Sequence, residues 1–330
     1  MFDVSMTMSF HSLNCPSYLV GGRNKHRTQF KIHSFNRGFA VKASILLPTD
    51  DNGNFPESKS FKTPTSSRIT DSVLSHANTV GIIGGVSAIS TMRFLKKLVG
   101  WSLKDGEETL PFIFCNDPVL NRELSSHERG SFPFLSLKNV HTHLDHTPIV
   151  ENLRRKRSFL ERAGARCIVM PCHISHSWHS DISEGCSVPF LHVGECVAKE
   201  LKEANLKPIA AGSNVRIGVL ATDATLKADF YREKLQNLGF EVVLPDKATM
   251  EHTVIPAIEA LNRKDMEGAK NLFKIALQVL LVRAVNTVIL ASDEMRALLP
   301  PNDPLHKKCI DPMDALARST IKWAQSAEKV

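Results

Sequence analysis

Residues 165–178, "ARCIVMPCHISHSW", decide how the chain is read. Cys167 to Met170 form an apolar run short enough for a buried strand, and Pro171 ends it because proline has no amide to give to a ladder. Cys172 is therefore expected at the carboxyl end of a strand. A helix beginning at or just after His173 would turn its free amides and the positive end of its dipole toward that sulfur. The expected consequence is a thiol biased toward thiolate.

On either side of this stretch, strand-like and helix-like segments alternate. "TVGIIGG" (79–85) is a short apolar strand ending in glycines, and "STMRFLKKLVGWSL" (90–103) is helical. "LPFIFCND" (110–117) reads as a strand, and "HTPIVENLRRKRSFLERAG" (146–164) as an amphipathic helix. Beyond Cys172, "VPFLHVGECVAKELKEANL" (188–206) supplies a strand end and a helix. The plan then repeats. "VRIGVLATDATLKADFYREKLQNLG" (215–239) is strand, polar loop and helix, "FEVVLPD" (240–246) a strand, and "NTVILASDEM" (286–295) a strand running into a polar turn after a long helical region.

This order predicts an α/β fold with mostly parallel sheets covered by helices on both faces. "TVGIIGG" matches "VRIGVLAT", and "CIVMPCHIS" (167–175) matches "TVILASDEM" (287–295), so Cys172 corresponds to Ser292. Two pseudo-symmetric α/β domains follow, with an active-site cleft between them and one of these residues on each wall. The expected boundaries are 78–193 plus 305–330 for the first domain and 194–304 for the second.

The 330 residues carry a formal net charge of +7, which suggests nucleic acid until the charges are located. Residues 1–70 hold nine Lys or Arg against four Asp or Glu, so about five of the seven charges lie there. The remainder is close to neutral and gives no basic face for nucleic acid. Before Asp50 the only acid is Asp3, and the segment is rich in Ser, Asn, Arg and His. That composition predicts a plastid transit peptide continuing into a disordered linker, with the working protein in the stroma. No apolar run approaches the ~18 to 20 residues of a membrane span, so no membrane partner is expected.

Seven cysteines, an odd number with no C-x-x-C pair, argue against a disulfide framework or structural zinc. "HTHLDH" (141–146) gathers three histidines and an aspartate, yet their helical spacing scatters them around the axis, and no metal is assigned. A polar helix start or loop is the expected role.

Six segments taken together, "GIIGGVSAISTMRF", "NDPVLNRE", "VMPCHISH", "IGVLATDATLKADFY", "VILASDEM" and "CIDPMDALA", occur in the order and rough spacing of motifs in the aspartate/glutamate racemase family. From about residue 78 to 328 the chain resembles that family. The resemblance implies two α/β domains, homodimers in many members, and an amino acid or related carboxylate as substrate. It also implies an isomerase that needs no cofactor, pyridoxal phosphate included. Two cysteines work on opposite faces of Cα, one removing the proton and the other donating one. A thiol, titrating near about 8.5 when unperturbed, can supply both protonation states near neutrality.

Cys172 matches the first family cysteine, whereas Ser292 stands where the family has the second. A serine hydroxyl needs a neighbour to take its proton. Asp293 and Glu294 follow it, but side chains adjacent in sequence at a helix start diverge, so slow or one-sided turnover is expected. His173 replaces a family asparagine; it could steady the thiolate, act as a base, or merely cap the helix. His176 matches a family histidine and is read as supporting the cysteine loop. Gly84 and Gly85 keep a turn able to cradle a carboxylate. Thr222 and Thr225 match threonines that line the family's cleft, with helix capping as their other physical role. Arg122 matches an arginine that grips a distal carboxylate, a task suited to a planar guanidinium.

Two other readings remain open: a catalytically silent protein that binds an amino acid or metabolite, and a single-cysteine isomerase or decarboxylase acting on another acid. Dinucleotide chemistry is disfavoured, because "GIIGG" lacks the full G-x-G-x-x-G spacing.

Overall fold

Strand β1 (Val80–Ile83) is the centre of a parallel three-stranded sheet, flanked by β2 (Phe112–Cys115) and β3 (Cys167–Val169). The computed structural model describes residues 76–103, 109–130, 145–209, 212–300 and 302–327. The expected transit peptide and linker lie outside them, as do His141 and His143 of "HTHLDH". Asp145 accepts the Thr147 amide at 2.9 Å, and the His146 ring meets His127 edge-on.

Helices α1 (Ala88–Ser102), α2 (Pro118–Gly130), α3 (Thr147–Arg162), α4 (His179–Ser183) and α5 (Val193–Glu203) accompany this sheet. A second parallel sheet follows in the order β5 (Glu241–Val243), β4 (Arg216–Ala221), β6 (Thr287–Ala291), β7 (Cys309–Ile310). Its helices are α6 (Asp223–Lys227), α7 (Phe230–Gln236), α8 (Lys247–Thr249), α9 (Ile255–Asn262), α10 (Met266–Leu281), α11 (Asp293–Ala297) and α12 (Pro312–Ala327). One π turn, Met250–Val254, joins α8 to α9.

Successive strand residues point to opposite faces, and that alternation sorts the core. Val80, Ile82, Ile217, Val219, Ile289 and Ala291 share one buried cluster with residues of α1, α5, α7 and α12, so these helices pack between the two sheets. Ile83 and Ile168 face a cluster with α2 and α3, while Leu220, Val288 and Leu290 face one with α9 and α10. Both sheets are therefore covered on both faces, the arrangement parallel sheets require.

The expected boundary at residue 305 runs differently. Cys309–Ile310 pairs with β6, whose other edge is taken by β4, so this short strand belongs to the second sheet. Only α12 returns to pack on α1 and α5. Among the described residues no helix is long and apolar enough to cross a membrane.

Candidate active site

Cys172 and Ser292 sit just past the ends of β3 and β6, 4% and 3% exposed, and both line one small cavity. Val86 and Ser87 from the β1–α1 turn and Ser90 from the first turn of α1 also line it, as do Glu128, His173, Asp293 and Glu294. The cavity measures about 20 Å³, room for about one water molecule. An amino acid enters only if the walls part.

Instead of an α-helix, Ile174–Trp178 forms a single 3₁₀ stretch after Cys172. Burial pushes the thiol up to about 11, against the pull of the Ser175 hydroxyl, which donates to Sγ at 3.1 Å, and of the Val86 and Ser175 amides. The expected thiolate is thus corrected: desolvation outweighs a few donors and a short turn with little dipole, and Cys172 rests as a thiol. Gly85 explains how the sulfur fits so closely under the β1–α1 turn. A Cβ there would collide with both Cβ and Sγ of Cys172.

Gly84 and Gly85 do not hold their amides free for an anion. Gly84 donates to the Cys115 carbonyl at 2.8 Å, and the Gly85 amide points to Thr91 Oγ1 at 3.5 Å. Neither lines the cavity, and their place is close packing rather than carboxylate binding.

Ser292 has the neighbour the sequence argument denied it. It is the N-cap of α11; its hydroxyl donates to Glu294 Oε2 at 2.8 Å and accepts from the Met295 amide at 3.5 Å. An N-cap side chain folds back over the first turn, so it meets the residue two further on while the adjacent Asp293 diverges.

His173 is 6% exposed, with Nδ1 2.9 Å from the Tyr231 hydroxyl and Nε2 buried without a partner. Burial lowers its pKa to about 4, so it faces the cavity as a neutral imidazole and cannot steady a thiolate by charge. It can still accept or donate one hydrogen bond. His176 holds the Met170 carbonyl through Nε2 at 2.9 Å and so fixes the approach to Cys172.

Thr222 and Thr225 stand behind the wall. Thr222 occupies the N-cap of α6 without capping it, and its hydroxyl donates to Glu128 Oε1 at 3.0 Å, with Thr225 Oγ1 3.2 Å away. Arg122 is exposed and does not line the cavity. Pro118–Gly130 is a helix, and at about 100° per residue Arg122 lies roughly 200° round from the buried Leu120.

Glu128 escaped the sequence reading. Burial, then the Glu294 charge, raises its carboxyl to about 7; burial and Glu294 likewise raise Asp293 to about 6. Its place on the buried side of α2, seven residues after Asn121 whose Nδ2 donates to the Gly85 carbonyl, is the signal that could have found it.

Acid and base side chains are thus gathered at the strand ends of a parallel α/β fold, around a small cavity. The chain belongs to the Asp/Glu/hydantoin racemase family, which matches residues 83–320. It is 26% identical over 245 residues to the broad specificity amino-acid racemase RacX of Bacillus subtilis, covering 73% of this chain and 96% of that protein. An aspartate racemase homologue from Pyrococcus horikoshii superposes with a TM-score of 0.58 at 20% identity, over 75% of this chain and 99% of that one. Picrophilus torridus aspartate racemase gives 0.55 at 23%, over 76% and 99%. These two likenesses concern the fold.

Proposed function

We propose that the chain moves the Cα proton of an amino acid without pyridoxal phosphate, in a slow or one-sided racemisation. One observation supports this most: Cys172 and Ser292, from matching strand ends, line a single cavity, and the serine hydroxyl donates to a carboxylate.

The asymmetry follows from the two protonation states. With its thiol pushed up to about 11, Cys172 carries a proton at neutral pH and is ready as an acid. Ser292 Oγ can take the Cα proton while its own passes to Glu294, and Cys172 then protonates the other face. Water restores the thiol and removes the proton from Glu294. In the reverse direction Cys172 must first give up its proton to become the base; the enantiomers are equal in free energy, so kcat/KM for their interconversion is the same both ways and the asymmetry shows in how fast each exchanges its Cα proton.

Proton NMR in deuterated water on the full chain, with both enantiomers of a panel of amino acids, tests this. The expected result is wash-out of the Cα signal, faster from one enantiomer, with formation of the opposite enantiomer lost in Cys172→Ala while exchange at the Ser292 face persists. Inversion that survives in Cys172→Ala, or no exchange with any amino acid, would refute the mechanism; stabilisation without exchange would instead indicate a silent binding protein.

A further inference from the structure

We propose that Tyr231 is a positioning residue, which fixes His173 as a neutral Nε2–H donor aimed into the cavity. What that donor does there rests on the preceding assignment of the cavity as an amino-acid site: it meets the substrate carboxylate.

The two rings come from distant parts of the chain. His173 follows β3 and lines the cavity, whereas Tyr231 sits on α7, 3% exposed, in the helical layer between the sheets. Tyr231 is not part of the cavity wall, and its hydroxyl lies 2.9 Å from His173 Nδ1. The Nδ1 edge of the imidazole is thus tied to the core. The ring's other nitrogen, Nε2, is buried and has no partner among the described residues.

Proton accounting then selects the tautomer. A neutral imidazole has one N–H and one bare nitrogen. If Nδ1 donated to the phenol oxygen, the Tyr231 O–H would be a buried donor without an acceptor, since Nδ1 is its one hydrogen-bond partner among the described residues. Nε2 would be left unmet as well. With the phenol donating to Nδ1, a single group stays unmet, the Nε2–H. Buried polar groups pair, so the second arrangement stands. The protonation states agree with it. Burial, then the Asp311 and Asp293 charges, hold the phenol well above its usual range, so Tyr231 keeps its proton to give. Burial lowers His173 to about 4 against the pull of Asp311 and Glu294, so the ring carries one proton and no charge.

Three carboxylates line the same wall, Glu128, Asp293 and Glu294, and none of them takes this N–H. It is a donor held in place for something the cavity admits. As the Cα proton leaves, the C–H electron pair spreads onto the substrate carboxylate, and an N–H aimed at one of its oxygens strengthens as that charge builds. No bond to His173 forms or breaks, and its proton stays on Nε2. A bare nitrogen at the same point would repel the growing charge.

Nitrogen-15 NMR of the full chain, labelled at histidine, reads the tautomer without substrate. His173→Gln identifies the His173 signals among the 14 histidines by their loss. Wild type should show the proton on Nε2 with Nδ1 as acceptor, and Tyr231→Phe should let the Nδ1–H form appear. Cα exchange reads the consequence. Tyr231→Phe should lower kcat about tenfold with KM changed less than about twofold, and His173→Leu should lower kcat about 10²-fold, the scale of one lost donor. His173→Gln, whose amide nitrogen can stand where Nε2 stood, should recover part of that loss. On the His173→Leu background Tyr231→Phe should cost nothing further, because the ring it positions is gone. Should the leucine variant fail to fold, His173→Gln serves as the background. A proton on Nδ1 in wild type, a tautomer that Tyr231→Phe leaves untouched, or an equal loss on both backgrounds would overturn the inference while leaving proton transfer standing. If no amino acid exchanges, proton transfer fails on its own account, and the tautomer alone decides whether Tyr231 positions His173.

Discussion

Ser292 shows how much turns on one side chain's direction. Its hydroxyl is too weak an acid to act alone, yet the extended N-cap backbone, φ −155° and ψ 132°, folds it onto Glu294. The carboxylate is thereby placed to receive the proton that the hydroxyl releases. Replacing it, Glu294→Gln, should lower Cα exchange by about 10²-fold, the low end of what a positioned base contributes. Ser292→Cys should instead raise racemisation of both enantiomers, because a thiol ionises far more readily than a hydroxyl. NMR exchange rates of the two variants check both, and a wild-type rate in Glu294→Gln would remove Glu294 from the proton path. Cys172 and Ser292 were legible in the sequence because an apolar run ending in a small nucleophile is a local signal. Glu128 was not, since the Thr222 that orients it lies 94 positions away and its burial depends on a helix the motif reading left unassigned.

At the scale of elements, the strands were legible as apolar runs, whereas the phase of α2 was not. A motif match assigns a residue to a position, but the helix decides which way it faces: Leu120, Leu124 and Glu128 share the inward side of α2, and Arg122 points away. β7 went unread for a simpler reason, since two residues carry no periodicity and their strand character comes from the free edge of β6. The β1–α1 turn makes the strongest demand. Gly85 leaves no space for a methyl group beside Cys172, and β3 and β1 are locked in register through Val80 with Cys167 and Ile82 with Val169. Because neither strand can slide, Gly85→Ala must displace the Cys172 loop. Loss of Cα exchange by about 10²-fold is expected, the scale on which about 1 Å of misplacement acts, with the far-UV circular dichroism of the fold retained. Full activity in that variant would mean the turn yields elsewhere.

Across the whole molecule, the two sheets share one helical layer, and the acidic cavity is enclosed where their strand ends meet it. Enclosure sets two opposing dependences of stability on pH. Glu128 and Asp293 keep their protons to about 7 and about 6 in the folded chain but release them near about 4 when unfolded, so raising pH across that window removes stability. His173 and His192, lowered by burial to about 4 and about 3, stay neutral in the folded chain while the unfolded chain protonates them below about 6.5. Lowering pH through that value therefore also removes stability, and the two slopes overlap in the wild type. Glu128→Gln separates them, because it deletes a carboxyl slope and leaves the histidines in place. Relative to wild type the variant should gain nothing near pH 4. Its advantage in Tm should grow as pH rises through the wild-type carboxyl's titration, reaching roughly 2 to 6 °C by pH 8. Thermal melts of both proteins across that range measure the difference directly. An advantage that is constant with pH, or that shrinks toward pH 8, would show that Glu128 is already ionised in the folded chain, with the Thr222 hydroxyl and the Arg129 charge outweighing its burial.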